Sequence, residues 1–531
     1  MPREGLTSLD WIVIAIYGAG MLILGAYYAR RQHSAEDFFV GGRSLNSTAV
    51  GISLLATLLS TISYLATPGE MIAKGPVISL TVLAAPITYF VVGYGLLPLI
   101  MRMRVTSAYE FLEERLGLGP RLLAASMFLI LRLVWMGVMI NVAAVAVVGV
   151  LGLSEEQAKW AVPLAVLICG TVAVVYTAMG GLRAVVTTDV VQFLLLFGGA
   201  LVTILLVTIK FGGFGWWPTE WQSHWQQQPV FSFDPRVRVT LVGTIIAGPL
   251  WWICTAGSDQ TAIQRFMATG STEGARRSFL VNIIADTMTM VLLAIVGIAV
   301  LGFYSQQTGA TGEVIDLVEQ GDKMFPRFIA TQLPAGLAGL VVAAMFAAVM
   351  SSLDSGLNST ASVIITDFIR RFGTGKHTPN QDLWLSRYLT LGMGFVIVAL
   401  AMVVQEVPGN ILEMSQKTVG LLVSPLAGIY FLALFVRFGT AIGAYHGAWY
   451  GCTTSFLIAF WPAITGGPDL SFQWILPCSL AMSLVVGVLF SLIPIRSVKP
   501  ATQVVLCLAA ALPVTACNVW IVWGLIQNGI G

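Results

Sequence analysis

The chain has 531 residues, 57% of them apolar and only 10% charged, with 54 glycines. About a quarter of an ordinary soluble chain is charged, so this composition excludes a soluble globular protein and puts most of the surface in lipid. A formal net charge of +2, without a long basic cluster, excludes a nucleic-acid partner.

A hydrocarbon core about 30 Å thick takes about 20 mostly apolar residues per helix, and every crossing must be helical because lipid offers the backbone no partner. The first such run, Leu9–Ala29, lacks a small-x-small cleavage site, follows a mixed-charge start (Arg3, Glu4, Asp10) and is closed by Arg30 and Arg31. It is therefore expected to be a transmembrane helix and not a signal peptide. Further runs follow at Ala49–Pro68, Val77–Met101, Leu122–Leu151, Trp160–Met179, Val190–Ile209, Leu241–Ala256, Phe279–Tyr304, Leu337–Ile365, Tyr388–Val404, Ile411–Val436, Ala441–Trp461, Phe472–Ile493 and Val504–Ile526, which makes fourteen spans in one integral domain. The seventh is short and holds Gly248 and Pro249; losing it would invert everything downstream. Lysine and arginine stay on the cytoplasmic side, and only an outside N-terminus gathers Arg102, Arg104, Arg276, Arg277, Arg370 and Arg371 there. Both termini are then outside, in a plasma (cell) membrane.

Along the chain, the second span mixes Thr57, Ser60, Thr61 and Ser63 into an apolar run and ends at Pro68-Gly69, where a helix is easily unwound to expose carbonyls. The outer loop from Lys210 to Arg238 carries Trp216, Trp217, Trp221 and Trp225, which predicts a cap in the headgroup zone. The ninth span, Leu337–Ile365, places Ala343, Ala347, Ser351, Ser355 and Ser359 in one row and Ala344, Ala348, Ser352, Gly356 and Thr360 in the next. Such a face packs tightly, but its hydroxyls and the ionisable Asp354 also suit a hard cation on a pathway. In the cytoplasmic loop after it, GTGKHT at Gly373–Thr378 departs from a phosphate loop in its glycine spacing. In the eleventh span, Glu413 and Lys417 stand at the i,i+4 spacing of a helical ion pair.

No paired carboxylate-histidine set or nucleophile elbow accompanies these features, so no enzyme and no organic cofactor is expected. The cysteines (Cys169, Cys254, Cys452, Cys478, Cys507 and Cys517) sit in apolar runs without CxxC spacing, and are expected to be small buried hydrophobes. The four histidines are scattered, so no metal site beyond sodium follows. Energy must come from an ion gradient, unless the protein is a passive channel or a sensor.

The motifs DFFVGGRSL (Asp37–Leu45), YTAMGGLRAVVTTDVVQ (Tyr176–Gln192), SDQTAIQRFMA (Ser258–Ala268), SSLDSGLNSTAS (Ser351–Ser362) and EMSQKTVGLLVSPLAG (Glu413–Gly428) resemble those of the sodium/solute symporter family. The resemblance covers most of the chain and implies a LeuT-type fold of two inverted five-helix repeats, about residues 46–210 and 240–437, with peripheral helices at about 9–29 and 441–526. It implies alternating access with sodium as the coupling ion. It places the principal sodium site on Ala56, Leu59, Ala348, Ser351 and Ser352, and a second ion or exit route on Asp189, Asp354 and Ser355. The substrate cavity is expected at Ser60, Ser63, Thr255, Gln416 and Lys417.

The sequence departs from the sugar-carrying branch. Thr255 and Ala256 stand where that branch has a Tyr-Trp pair, and Asp286 where it has a lysine. A sodium/sugar symporter thus stays open as an alternative, while Lys417 beside Gln416 points to an anionic or carboxylate substrate. The partners expected are a small solute, sodium and the bilayer; the oligomeric state is not legible in the residues.

Overall fold

The computed structural model describes residues 5–493 apart from 33, 60, 104, 152, 312–316, 319, 374–377 and 404–410, together with 516–518 and 520. Among them all regular structure is helical. The helices that build the site are α1 (Ser8–Ala29), α2 (Ser47–Leu58), α3 (Thr61–Ala73), α4 (Leu118–Val150), α5 (Glu155–Lys210), α6 (Leu241–Ser258) and α7 (Gln260–Ala268). They are followed by α8 (Thr272–Thr311), α9 (Leu337–Val363), α10 (Pro379–Val403), α11 (Ile411–Phe435), α12 (Ala441–Ala459) and α13 (Ile475–Leu492). Among the described residues ten helices are long and apolar enough to cross a membrane, and the bent pair at Ser47–Leu58 and Ile62–Ala73 adds one more. The expected fourteenth span, Val504–Ile526, lies outside the described residues except at four positions.

Almost every residue of α9 is buried, polar ones included. Its two rows of alanine, serine and glycine let α1, α2, α4 and α5 pack directly around it, because small side chains allow backbones to approach. The most deeply buried of the candidate spans is thus one rich in hydroxyls. At the other end of the chain α12 and α13 pack along Gly443, Gly447 and Gly451, which face Ser483, Gly487 and Ser491.

The fifth and sixth expected spans are the two arms of α5, which meet at a kink at Gly181 where the backbone leaves helical geometry. Gly181 has φ 55° and ψ −167°, a conformation open in practice only to glycine, and a Cβ there would lie 2.8 Å from the Phe38 carbonyl oxygen. Gly181→Ala is therefore expected to cost about 1–3 kcal/mol in backbone strain alone, visible as a lowered melting temperature of the purified protein. An unchanged melting temperature would show that the bend adapts.

The helix breaks are not where Pro68-Gly69 and Gly248-Pro249 suggested. Both prolines lie inside helices, in α3 and α6, where packed neighbours can re-satisfy the freed carbonyls. The chain opens instead at Leu59 (φ −80°, ψ 93°) between α2 and α3, and at Asp259 (φ −84°, ψ 119°) between α6 and α7. Asp259 caps α7 by accepting from the Thr261 amide at 2.8 Å and pairs with Arg132 on α4, so a side chain and not a proline fixes that break.

The tryptophan loop is only half an interfacial cap. Trp217 and Trp221 are exposed, but Trp216 and Trp225 are buried, and the Trp225 indole donates to the Ile72 carbonyl at 3.1 Å to close the end of α3. Burial of the cysteines is likewise partial: Cys169 and Cys254 are buried, Cys452 and Cys517 half-buried, and Cys478 exposed, while Cys507 lies outside the described residues.

Candidate functional site

The last four carbonyls of a helix lack intrahelical partners, and α2 ends deep in the protein. Two hydroxyls of α9 meet those carbonyls. Ser351 Oγ donates to Ala56 O at 2.8 Å and lies 3.0 Å from Ala348 O. Ser352 Oγ donates to Thr57 O at 2.8 Å and lies 3.4 Å from Ala348 O. The structure thus gathers Ala56, Ala348, Ser351 and Ser352 at one point and adds the Thr57 carbonyl, which sequence reasoning passed over. Leu59, also expected there, is the residue at which the backbone turns out of α2. The group consists of neutral oxygens in a dry setting, a donor set suited to one hard monovalent cation.

One turn further along α9, Asp354, Ser355 and Asp189 of α5 form a fully buried network. Tyr176 Oη donates to Asp354 Oδ2 at 2.7 Å, and Ser355 Oγ to Asp354 Oδ1 at 3.1 Å. The Ser53 hydroxyl donates to Asp189 Oδ2, and Thr57 Oγ1 lies 2.8 Å from Ser355 Oγ. Arg265 of α7 joins the two halves. Its guanidinium reaches Asp189 at 3.4 Å, Ser53 Oγ at 3.0 Å and the Ser355 hydroxyl. The guanidinium thus pairs directly with Asp189 and reaches Asp354 through the Ser355 hydroxyl, and Asp189 Oδ1 has no hydrogen-bond partner among the described residues. Arg265, Ser53 and Tyr176 are functional candidates absent from the sequence-derived set. The usable signal was an arginine in the otherwise apolar turn QRFMA.

Beside the break lies a cavity of about 310 Å³. Ser63 and Gln416 line it, together with Asp286 and the indoles of Trp135, Trp251 and Trp252. Thr255 and Lys417 are not on its wall; Thr255 is buried in the last turn of α6 and its carbonyl accepts from the Asp259 amide. Ser60 lies outside the described residues. Leu55, Leu58 and Leu59 form the cavity wall on one side of the α2 break, while Ala56 and Thr57 turn their carbonyls to the serine pair on the other.

Ion pairs tie the helices together at two further places. Arg238 binds Glu70 and Glu413, Lys74 reaches Glu413 at 3.4 Å, and Arg238 lies 5.5 Å from the Phe472 ring on the cavity wall. Glu413 is thus held by groups from other elements, beyond the Lys417 pairing its spacing suggested. Near the far end of α9, Arg121 pairs with Asp367 at 2.7 Å and Glu113 at 2.7 Å. Hydrogen bonds from Arg371 and Arg121 outweigh desolvation and hold the half-buried Glu113 carboxyl below its ordinary range.

Comparison with known proteins adds an independent line of evidence. The model of the sodium:solute symporter family matches residues 38–451. The chain is 28% identical over 461 residues to the sodium/sialic acid symporter of Proteus mirabilis, covering 84% of this chain and 88% of that one. It is 28% identical over 464 residues to the sodium-coupled monocarboxylate transporter 1 of Xenopus laevis, covering 86% and 72%. The solved substrate-bound, outward-open structure of a Na+-coupled sialic acid symporter superposes with a TM-score of 0.76 at 25% identity, over 91% of this chain and 98% of that one.

Proposed function

This chain belongs to the sodium:solute symporter family and so is an integral membrane transporter that couples a small solute to sodium; from that premise we propose that the solute is a small carboxylate. Support comes from the relatives, named for sialic acid and for monocarboxylates, both carboxylic acids, and from the departures at Thr255, Ala256 and Asp286 from the sugar-carrying pattern.

The observation that carries the coupling is the α2 break. The turn whose carbonyls meet Ser351 and Ser352 also supplies Leu55, Leu58 and Leu59 to the cavity wall. In this reading sodium sits among the oxygens of Ala56, Leu59, Ala348, Ser351 and Ser352, with Thr57 adjoining. It ties α2 to α9 and fixes the wall against which the solute binds. A second cation is assigned to Asp189, Asp354 and Ser355, where two carboxylates face one guanidinium. Ser63 and Gln416 contact the solute; Lys417, off the wall, has its anion-binding role supported by sequence alone.

The architecture that accompanies this reading is fourteen spans with two inverted repeats, about residues 46–210 and 240–437, flanked by peripheral helices. The paired openings at Leu59 and Asp259, each early in one repeat, support it. Alternating access in a cell membrane with both termini outside completes it. Proteoliposomes loaded without sodium and diluted into sodium should accumulate small carboxylates and leave neutral hexoses behind. Accumulation of hexoses and not carboxylates would overturn the substrate class.

A further inference from the structure

The wall of the cavity has an unexpected charge balance. Asp286 of α8 lines it, and none of the described lining residues is lysine, arginine or histidine. Asp286 has neither a hydrogen bond nor an ion pair with any described residue. A carboxylate at membrane depth is costly when unpaired and ordinarily has a cation opposite it. The protein supplies none at this wall.

Three indoles share the wall with it. Trp251 and Trp252 stand edge to face, ring centroids 4.9 Å apart at 84°, and Trp252 is braced by Phe279 at 5.4 Å. Two perpendicular indoles form a corner, and Trp135 adds a ring from α4. Indole faces are the strongest side-chain binders of ammonium groups. A corner of tryptophans on the same cavity wall as an unpaired carboxylate is the chemistry that recognises an alkylammonium, and the carboxylate would repel a plain anion.

We propose that the cavity takes a zwitterion, a small amino acid or N-methylated betaine, whose ammonium sits between Asp286 and the indoles of Trp135, Trp251 and Trp252. This rests on the carboxylate reading and narrows it. The substrate's own carboxylate meets neutral donors, the Gln416 amide on α11 among them, so no basic side chain is needed. The solute is electrically neutral overall, and the charge carried per cycle is that of the sodium.

Isosteric pairs test the assignment, because they differ in charge and hardly in shape. Glycine betaine is compared with 3,3-dimethylbutyrate, and alanine with isobutyrate, as competitors and as substrates of sodium-driven uptake in proteoliposomes. The wild-type protein should prefer at least one zwitterion over its carbon isostere by about tenfold or more in apparent affinity. Asp286→Asn should collapse that ratio to about twofold, and Trp251→Leu should lower it severalfold; the second variant decides if the first is inactive. A wild-type preference for the plain acids, or a ratio that survives both substitutions, overturns the assignment and leaves the carboxylate reading standing. Sodium-driven uptake of none of the four compounds overturns both.

Discussion

Ser352→Ala is expected to raise the sodium concentration for half-maximal uptake by about tenfold or more, since a hard cation in a dry site loses one of few oxygen ligands. Ser352 Oγ also bridges α9 to the break, 2.8 Å from Thr57 O, so its loss leaves that carbonyl without the partner it has here. A buried, unpartnered acceptor costs about 1–3 kcal/mol, which corresponds to about tenfold or more in an equilibrium constant. Initial uptake rates against sodium at fixed solute measure the effect. Solute affinity at saturating sodium should change far less, because the hydroxyl is on the ion side of the turn and not on the cavity wall. An unaltered sodium dependence would remove Ser352 from the site.

A larger loss is expected from Arg265→Leu. The Arg265 guanidinium is fully buried between Asp189 and Ser355, and Asp354 shares the network. Removing one member of such a pair leaves buried charge uncompensated and destabilises by about 3–5 kcal/mol. Sodium-driven uptake should vanish and the melting temperature should fall sharply. The double variant Arg265→Leu with Asp189→Asn removes a carboxylate along with its cation, and should recover much of the lost thermal stability while remaining inactive. If the double variant is no more stable than the single one, the penalty comes from packing and not from charge.

The meeting of Ser351 and Ser352 with the carbonyls of α2 was legible from a local pattern and a family motif together. Two serines on a small-residue face of α9 announce a helix built for close approach, and the motif around them places the partner carbonyls on the second span. Asp189, Asp354 and Ser355 were named from the motifs, but the part that Arg265, Ser53 and Tyr176 play beside them was not legible, since these residues come from α2, α5 and α7 and meet α9 only through tertiary packing. Helix breaks were misplaced for a related reason. Proline and glycine mark where a backbone can open, whereas Leu59 and Asp259 mark where tertiary bonds make it open, and in lipid the second condition decides. Lys417 was chosen by adjacency to Gln416, but consecutive residues on a helix face different directions, and only Gln416 reaches the cavity. Asp286 was noted merely as a departure from the sugar pattern; the proposal made for it rests on the tryptophans that α4 and α6 bring to the same cavity wall.

The Arg238 cluster has a kinetic meaning. It fastens Glu70 at the end of α3 to Glu413 at the start of α11, and Ser471 donates to the Arg238 carbonyl from the segment before α13. Thr67, Gln416 and Phe472, close by in the chain, are cavity wall. In the alternating-access reading, admitting or releasing solute at that end parts these pieces, and a largely covered guanidinium exchanges two carboxylates for water. A clasp of this kind acts on the frequency of opening, and leaves the fit of whatever is inside untouched. Ionic strength on that side of the membrane should therefore act on turnover only weakly, because a largely covered ion pair is little screened by mobile ions.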